Sequence, residues 1–384
     1  MNNISVVDSE KCYGCTSCVT LCHFSAIEMQ ENEKGFLNPV IDTGKCVNCG
    51  KCVKACPAIK LPNIDEYEQS FYAMKANDDS IRQKSTSGGA FSVLASCLAE
   101  KNAIVYGSVF ERTGVKHIRV DDGDLELLRG SKYVPSNLND TFLKIIEDLK
   151  SNKTVMFVGT PCQCGGLKKC ISNTAVSSQN LYIIDFICHG TASPKLFEDY
   201  LIHCEKKRKR KITQHIFRSK KQGWHTHLEE NVFEDGYRDN QSFESQLQRS
   251  IFYSGYAFSE RCYSCEYSST ARCSDITIAD FWGIEKAAPD FDDNKGTSFV
   301  IINTSKGRSL FDLASSQAEV LEVSLADTDQ PHIKSPVERP AETDSFWDFY
   351  QKHGFDRMIA KYFAGGKFRR LLANIYHKLK GDRK

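Results

Sequence analysis

The sequence predicts three parts: a small cysteine-rich α+β domain, an α/β layered domain, and a helical extension at the C-terminus. Three observations predict them. Eight of the 17 cysteines fall within the first 56 residues. From residue 63 onward, apolar strand-like runs alternate with amphipathic stretches, and after Ser335 the chain turns polar and then aromatic at helical spacing. The 384 residues are 41% hydrophobic and 26% charged, with a mean hydropathy of −0.41. That composition suits a soluble, multi-domain globular chain. Lys+Arg of 50 balance Asp+Glu of 49, so there is no global field to draw nucleic acid or an anionic membrane. The start, MNNISVVDSEKC, lacks the basic and apolar regions of a secretory signal, and no run approaches a membrane span. A cytoplasmic location is therefore expected.

A chain of this length does not need disulfides to fold, and a reducing compartment would not keep them, so the cysteines point to metal or redox chemistry. Cys12, Cys15, Cys18 and Cys22 are repeated 34 residues later as Cys46, Cys49, Cys52 and Cys56. This is an internal duplication of C-x2-C-x2-C-x3-C. Two-residue gaps let three thiolates of one loop converge on one iron–sulfur cube, while the fourth cysteine, on the following turn, ligates the other. Cys12, Cys15, Cys18 and Cys56 would hold one 4Fe-4S cluster, and Cys46, Cys49, Cys52 and Cys22 the second. Ala26-Ile27 and Ala58-Ile59 repeat as apolar contacts against the cubes. A zinc pair is the competing reading, but its usual paired C-x2-C spacing does not fit. Residues 1–62 are thus read as an α+β ferredoxin-like dicluster domain that carries single electrons and does no bond chemistry.

A short linker around Asn63-Ile64-Asp65-Glu66 leads into residues 63–335. Strands are expected at 103–110, 115–120, 154–159, 181–187, 227–233, 275–281 and 298–303. Helices are expected over 141–149, 194–204 and 305–314, which together give an α/β layer fold. Residues 336–384 form the C-terminal extension, with Phe346, Trp347, Phe349 and Tyr350 followed by Ile359, Tyr362 and Phe363.

Four loops lie where such folds place chemistry, at strand ends or helix starts. KSTSGGAF (84–91) offers free amides and two glycines to a phosphate or a flavin edge, although an ordinary helix cap looks the same. Gly130-Ser131-Lys132-Tyr133 supplies a cation and a phenol. Gly159-Thr160-Pro161-Cys162-Gln163 follows the strand TVMFV, and Cys188-His189-Gly190 follows LYIIDFI, which puts both cysteines at one edge of a parallel sheet. Each could equally be a small buried hydrophobe. A later Cys262-x2-Cys265 loop, followed by Cys273 and DITIADFWG, supplies half of a tetrahedral site.

In order, KSTSGGAFSVLA, LRGSKYVPS, FVGTPCQCGGLK, IDFICHGTASPKLF, CYSCEY, SDITIADFWGIEK and KGTSFVIIN resemble the coenzyme F420 hydrogenase/dehydrogenase beta-subunit family. The likeness is to bacterial members with an N-terminal dicluster ferredoxin. It implies an α/β flavin-binding domain that holds FAD beside a third 4Fe-4S cluster. It also implies that Ser87, Gly88, Gly89, Ser131 and Lys132 belong to the flavin pocket. The third cluster would take Cys162, Cys188, Cys262 and Cys265, with Cys273 as an alternative to Cys188. Cys97, Cys164, Cys170 and Cys204 read as packing residues or inert thiols. Nothing reads as a deazaflavin pocket, and no GxGxxG with a following acidic residue marks a Rossmann nicotinamide site.

Lys206 through Lys211 are six consecutive cations, and residues 366–384 carry seven basic side chains against Asp382. Both read as solvated surface; a docking patch for an acidic carrier or a membrane surface is the sharper alternative. Neither has aromatics interleaved to stack bases, so nucleic acid is not expected. His225 and His227 beside Trp224 are left without a role, and no catalytic residue is assigned. Two functions follow. One is an iron–sulfur flavoprotein oxidoreductase that exchanges electron pairs with a small-molecule substrate at FAD, as in reductases associated with polysaccharide biosynthesis. The other is an electron-transfer subunit, F420- or ferredoxin-coupled, serving a partner dehydrogenase or hydrogenase. Either needs a redox partner such as ferredoxin, a reduced deazaflavin or a nicotinamide donor.

Overall fold

The computed structural model describes residues 2–112, 114–121 and 124–364. The N-terminal segment contains α1 (Ser17–Thr20), the hairpin of β1 (Ile27–Glu31) and β2 (Leu37–Ile41), and α2 (Lys51–Ala55). The duplication is visible in the backbone. Gly14 and Thr16 have positive φ, and so do their counterparts 34 residues on, Asn48 and Gly50. Left-handed residues on either side of a cysteine curl each loop back toward one point, which is why glycine and asparagine recur there. Ala26 and Ile27 are buried, but Ile59 is 45% exposed. The expected symmetry of apolar contacts fails there, because Ile59 lies past α2 on the outer surface.

Residues 61–69 carry no helix or strand. The chain then forms β3 (Ser70–Ala76), α3 (Asp79–Lys84), α4 (Ala90–Ala99), β4 (Ile104–Glu111), β5 (Gly114–Val120), β6 (Ser136–Asn137), α5 (Thr141–Lys150), β7 (Val155–Gly159), α6 (Pro161–Ser172) and β8 (Leu181–Phe186). After these come α7 (Pro194–Arg208), β9 (Ile212–Ser219), β10 (Leu228–Phe233), β11 (Arg238–Asp239) and α8 (Leu247–Ser254). The remainder is β12 (Ile276–Asp280), α9 (Ile284–Ala287), β13 (Ser298–Ile302), α10 (Ser305–Ala314), β14 (Ala318–Val323), α11 (Thr343–His353) and α12 (Phe355–Tyr362).

The main sheet has nine strands in the order β14-β3-β13-β12-β8-β7-β4-β5-β6. Its centre, β12-β8-β7-β4, is parallel, and β13 and β5 flank it antiparallel. Alternate residues of the parallel strands face opposite layers, as the strand period of two requires. Met156 and Ile184 join Val93, Leu94 and Phe311 of α4 and α10. Val155, Phe157 and Ile183 join Phe142 and Leu167 of α5 and α6. Leu21 and Ala55 of the cysteine-rich segment enter that second layer, so the segment is seated on the α5–α6 side of the sheet.

The expected simple alternation is interrupted between β8 and β12. Strand 227–233 pairs as β10 in a separate three-stranded antiparallel sheet, β11-β10-β9, and not in the main sheet. Phe346, Trp347 and Tyr350 of α11 and Met358 of α12 close the core between this sheet, α7 and α8. Up to residue 364 the C-terminal part therefore belongs to the fold's own core, and truncating Phe346 to Ala should cost about 3–5 kcal/mol. The basic stretch 366–384 lies outside the described residues. Among the described residues, no helix is long and apolar enough to cross a membrane.

Candidate iron–sulfur route and cavity

Cys12, Cys15, Cys18 and Cys56 lie near enough to interact electrostatically with one another. That is the crosswise set expected from the spacing, with the last cysteine of the second repeat joining the first three. The Gly14 amide donates to Cys12 Sγ at 3.3 Å, a bond that favours the thiolate. On the second group, the Ala26 amide donates to Cys22 Sγ at 3.4 Å and Asn3 Nδ2 approaches Cys46 Sγ at 3.8 Å. Cys49 and Cys52 interact through space, and Cys22, Cys52, Cys18 and Cys56 share one small apolar core with Ile4 and Ile27. The second group is the outer one, because Cys49 is exposed and Val47 beside it is 55% exposed.

A third group forms where β7, β8 and the 262–265 turn meet. Cys162 in the first turn of α6 interacts through space with Cys188, Cys262 and Cys265, and Cys188 with Cys262 and Cys265. Cys273 is elsewhere, buried beside Cys164 and Asp185. Geometry thus groups Cys188, not Cys273, with the other three. Thr160 caps α6, with its Oγ1 also 3.1 Å from Cys162 Sγ. Burial pushes the Cys188 thiol up to about 12 and the Cys262 thiol to about 11, so filling such a site with metal must release protons. Cys97, Cys164, Cys170 and Cys204 are buried packing residues.

The first and third groups adjoin. A Cβ on Gly166 would sit 2.7 Å from Cys15 Cβ and 2.8 Å from its Sγ, and Ser17 Oγ donates to the Gly166 carbonyl at 2.7 Å. Gly165, on the same turn of α6, leaves room for the Tyr267 hydroxyl. Tyr267 meets Tyr13 edge-on at 5.3 Å, and the Arg261 guanidinium lies 4.5 Å over the Tyr13 ring.

These residues fit iron–sulfur clusters on a second count. Buried polar atoms normally find partners, yet Thr16 Oγ1, Arg261 Nε and Tyr267 Oη are buried with none among the described residues. All three border the first and third cysteine groups, where cluster sulfides would accept from them. Among the described residues no three His, Cys, Asp or Glu side chains are placed to chelate one metal ion. A cube takes one thiolate per corner iron and so holds its cysteines further apart than a single ion does.

A cavity of about 230 Å³ opens at the carboxyl ends of β7, β8 and β12. Its wall combines loop 85–91, loop 128–134, Gly159-Thr160, Cys188-His189-Gly190 and Asp280 with Trp282. The four loops picked out in the sequence therefore do converge, and Cys188 is both cavity wall and member of the third cysteine group.

The individual flavin-pocket expectations divide. Ser87, Gly89, Ser131 and Lys132 line the cavity. Gly88 does not. A Cβ there would run into the Met74 carbonyl and lie 2.6 Å from the Ser298 amide, so β3 and β13 by themselves require a glycine there. Gly89 is left-handed, with φ +93°. Ser87 Oγ donates to the Thr297 carbonyl at 2.6 Å, and Ser131 bonds Thr86. Lys132 Nζ is taken up by three carbonyls, those of Ser108, Leu128 and Arg129, at 2.8–3.0 Å. It ties the cavity wall together, and its burial lowers the pKa to about 7.

Sequence reasoning missed Lys220 and Arg218. Lys220 Nζ grips the carbonyls of Arg82, Ser87 and Lys295 at 2.5–2.8 Å and so fixes the Ser-Gly-Gly loop. Arg218 pairs with Asp280 at 3.3 Å inside the cavity, and its guanidinium faces Trp282, which stacks on Trp224 at 4.8 Å. Only the alternation of ITQHIFRS could have signalled β9. His225 bonds Asp292 and His227 bonds Tyr253 and the Phe217 carbonyl. The cationic run is largely engaged: Lys207 with Glu244, Arg208 and Arg210 with Asp235, and Lys211 with Glu205. It behaves as a solvated, paired surface.

Serial cysteine groups leading to a cavity at a sheet edge define an iron–sulfur electron-transfer protein. Residues 152–328 match the family described as the C-terminal region of the coenzyme F420 hydrogenase/dehydrogenase beta subunit, and residues 11–59 and 38–97 match two 4Fe-4S dicluster domain families. Residues 152–328 thus resemble this beta-subunit family, and the dicluster ferredoxin matches lie on their N-terminal side. A chain of the F420-reducing NiFe hydrogenase complex from Methanosarcina barkeri is 16% identical over 77% of this chain and 91% of that chain, with a TM-score of 0.45. No curated protein matches.

Proposed function

We propose that this chain is an electron-transfer subunit that relays electrons between a one-electron carrier at its outer cysteine group and a two-electron cofactor, FAD, in the cavity, on behalf of a partner dehydrogenase or hydrogenase. One observation carries the reading: the three cysteine groups are in series. Cys49 is exposed at the outer end, Cys15 abuts α6 one turn from Cys162, and Cys188 faces the cavity. Bound FAD would supply the conversion between electron pairs and single electrons. The chain's own residues would hold it. Lys132 and Lys220 fix the two loops, Arg218 offers a cation, and Trp282 gives an apolar face. A carrier would meet Lys45, Lys51 and Lys54, which are exposed around Cys49.

The match to a beta subunit favours this over a self-contained reductase of polysaccharide biosynthesis. The test is anaerobic mixing of the full-length protein with reduced methyl viologen, following cavity flavin absorbance. Cys15→Ala should slow flavin reduction by roughly a hundredfold or more while leaving flavin content unchanged. Equal rates in both proteins would remove the relay, and absence of any copurifying flavin would remove FAD.

A further inference from the structure

The junction between the first and third cysteine groups contains a buried arginine that nothing in the relay itself requires. Arg261 is 8% exposed. It immediately precedes Cys262 of the third group, and it interacts through space with Cys56 of the first. Its Nη2 donates to Tyr13 Oη at 2.6 Å, and Tyr13 follows Cys12. The same nitrogen pairs with Glu266, whose carboxylate is half in solvent. The guanidinium lies over the Tyr13 ring, and its Nε is buried without a partner among the described residues.

A buried donor left unpaired is costly, and a buried cation needs compensating charge. Glu266 offers that compensation only from the solvent side. The two cysteine groups flank the arginine on the protein side, and each would carry net negative charge once loaded. Both needs of the side chain are then met by the same neighbours.

Building on the reading that the third group holds a cluster, we propose that Arg261 is a positioning residue shared by the two inner clusters, raising the reduction potential of both and keeping them matched for transfer across the α6 junction. The physical cause is direct. Reduction adds negative charge, which a nearby cation in a water-poor site favours, and N–H bonds to cluster sulfur act in the same sense. Tyr13 holds the guanidinium at the junction. The outer group, at Cys49, lies beyond it and should not feel the charge.

The experiment is EPR-monitored redox titration of the intact protein with iron analysis, comparing Arg261→Gln, Arg261→Lys and Tyr13→Phe. Arg261→Gln should move the two inner potentials to more negative values and leave the outer one in place. Arg261→Lys keeps the charge and should restore most of the shift. Tyr13→Phe, which removes one hydroxyl and threatens neither fold nor ligands, should give a smaller shift of the same sign. Unmoved inner potentials in Arg261→Gln and Tyr13→Phe at full iron content overturn the proposal, as does a shift confined to one cluster. If the unmutated protein holds only about eight irons, the third-cluster reading has failed and the shared role with it. About twelve irons with unmoved potentials means that only the role of Arg261 has failed.

Discussion

The dicluster segment and the cavity are built by opposite means. Each ferredoxin loop brings three cysteines together within seven residues of chain, using left-handed turns repeated at the same offset. The cavity wall comes from segments as far apart as Ser85 and Gln330, brought together only because the sheet aligns the ends of β7, β8 and β12. A locally encoded site survives changes elsewhere in the chain. An assembled site depends on packing that has no ligand contact.

Gly88 gives the largest break in that comparison. Gly88→Val forces a side chain into the β3 and β13 backbones and should destabilise the layered domain by about 3 kcal/mol or more, with loss of any cavity ligand as a consequence. The check is urea unfolding followed by circular dichroism, with iron analysis. The dicluster irons should survive under conditions where the layered domain is still folded. Selective ligand loss at unchanged stability would instead make Gly88 a ligand contact.

Acid sharpens the same contrast, because buried imidazoles lie on the layered side. Burial lowers both His117 and His215 to about 4 from an ordinary value of 6.5. The unfolded chain takes up protons there that the folded chain refuses, so stability is full above about pH 6.5 and falls as pH drops toward 4. At pH 5 each imidazole should cost about 2 kcal/mol. Urea unfolding at pH 7.5 and 5.0 tests this, and His215→Gln should remove about 2 kcal/mol of the stability difference between the two pH values.

The smallest effect belongs to the surface. Lys207→Ser breaks an exposed ion pair with Glu244 and should change stability by less than about 0.5 kcal/mol. Electron exchange with an acidic carrier should be unaffected. A marked slowing would reinstate residues 206–211 as a docking patch.

How much could be read from sequence follows the same division. The cysteine spacing pointed to the crosswise set Cys12, Cys15, Cys18 and Cys56, because each short loop brings three cysteines together and the duplication supplies the fourth. Strand ends carrying Cys162 and Cys188 were legible from hydrophobic runs followed by glycine or proline. Arg218 and Lys220 were not, since each acquires its partners, Asp280 and the Ser87 carbonyl, from elements far away in sequence. The packing constraint on Gly88 was not legible for the same reason: it comes from strands β3 and β13, not from its neighbours. Ile59 looked like a repeat of Ile27, but it lies past the end of α2 and faces outward.

The proposed third cluster would sit on Cys162, Cys188, Cys262 and Cys265, between the ferredoxin pair and the cavity. Anaerobic iron content of the full-length protein, Cys188→Ala and Cys273→Ala tests it most directly. At four irons per cube, about twelve, about eight and about twelve irons are expected respectively. About eight irons in all three proteins, or a loss with Cys273→Ala but not with Cys188→Ala, would contradict it.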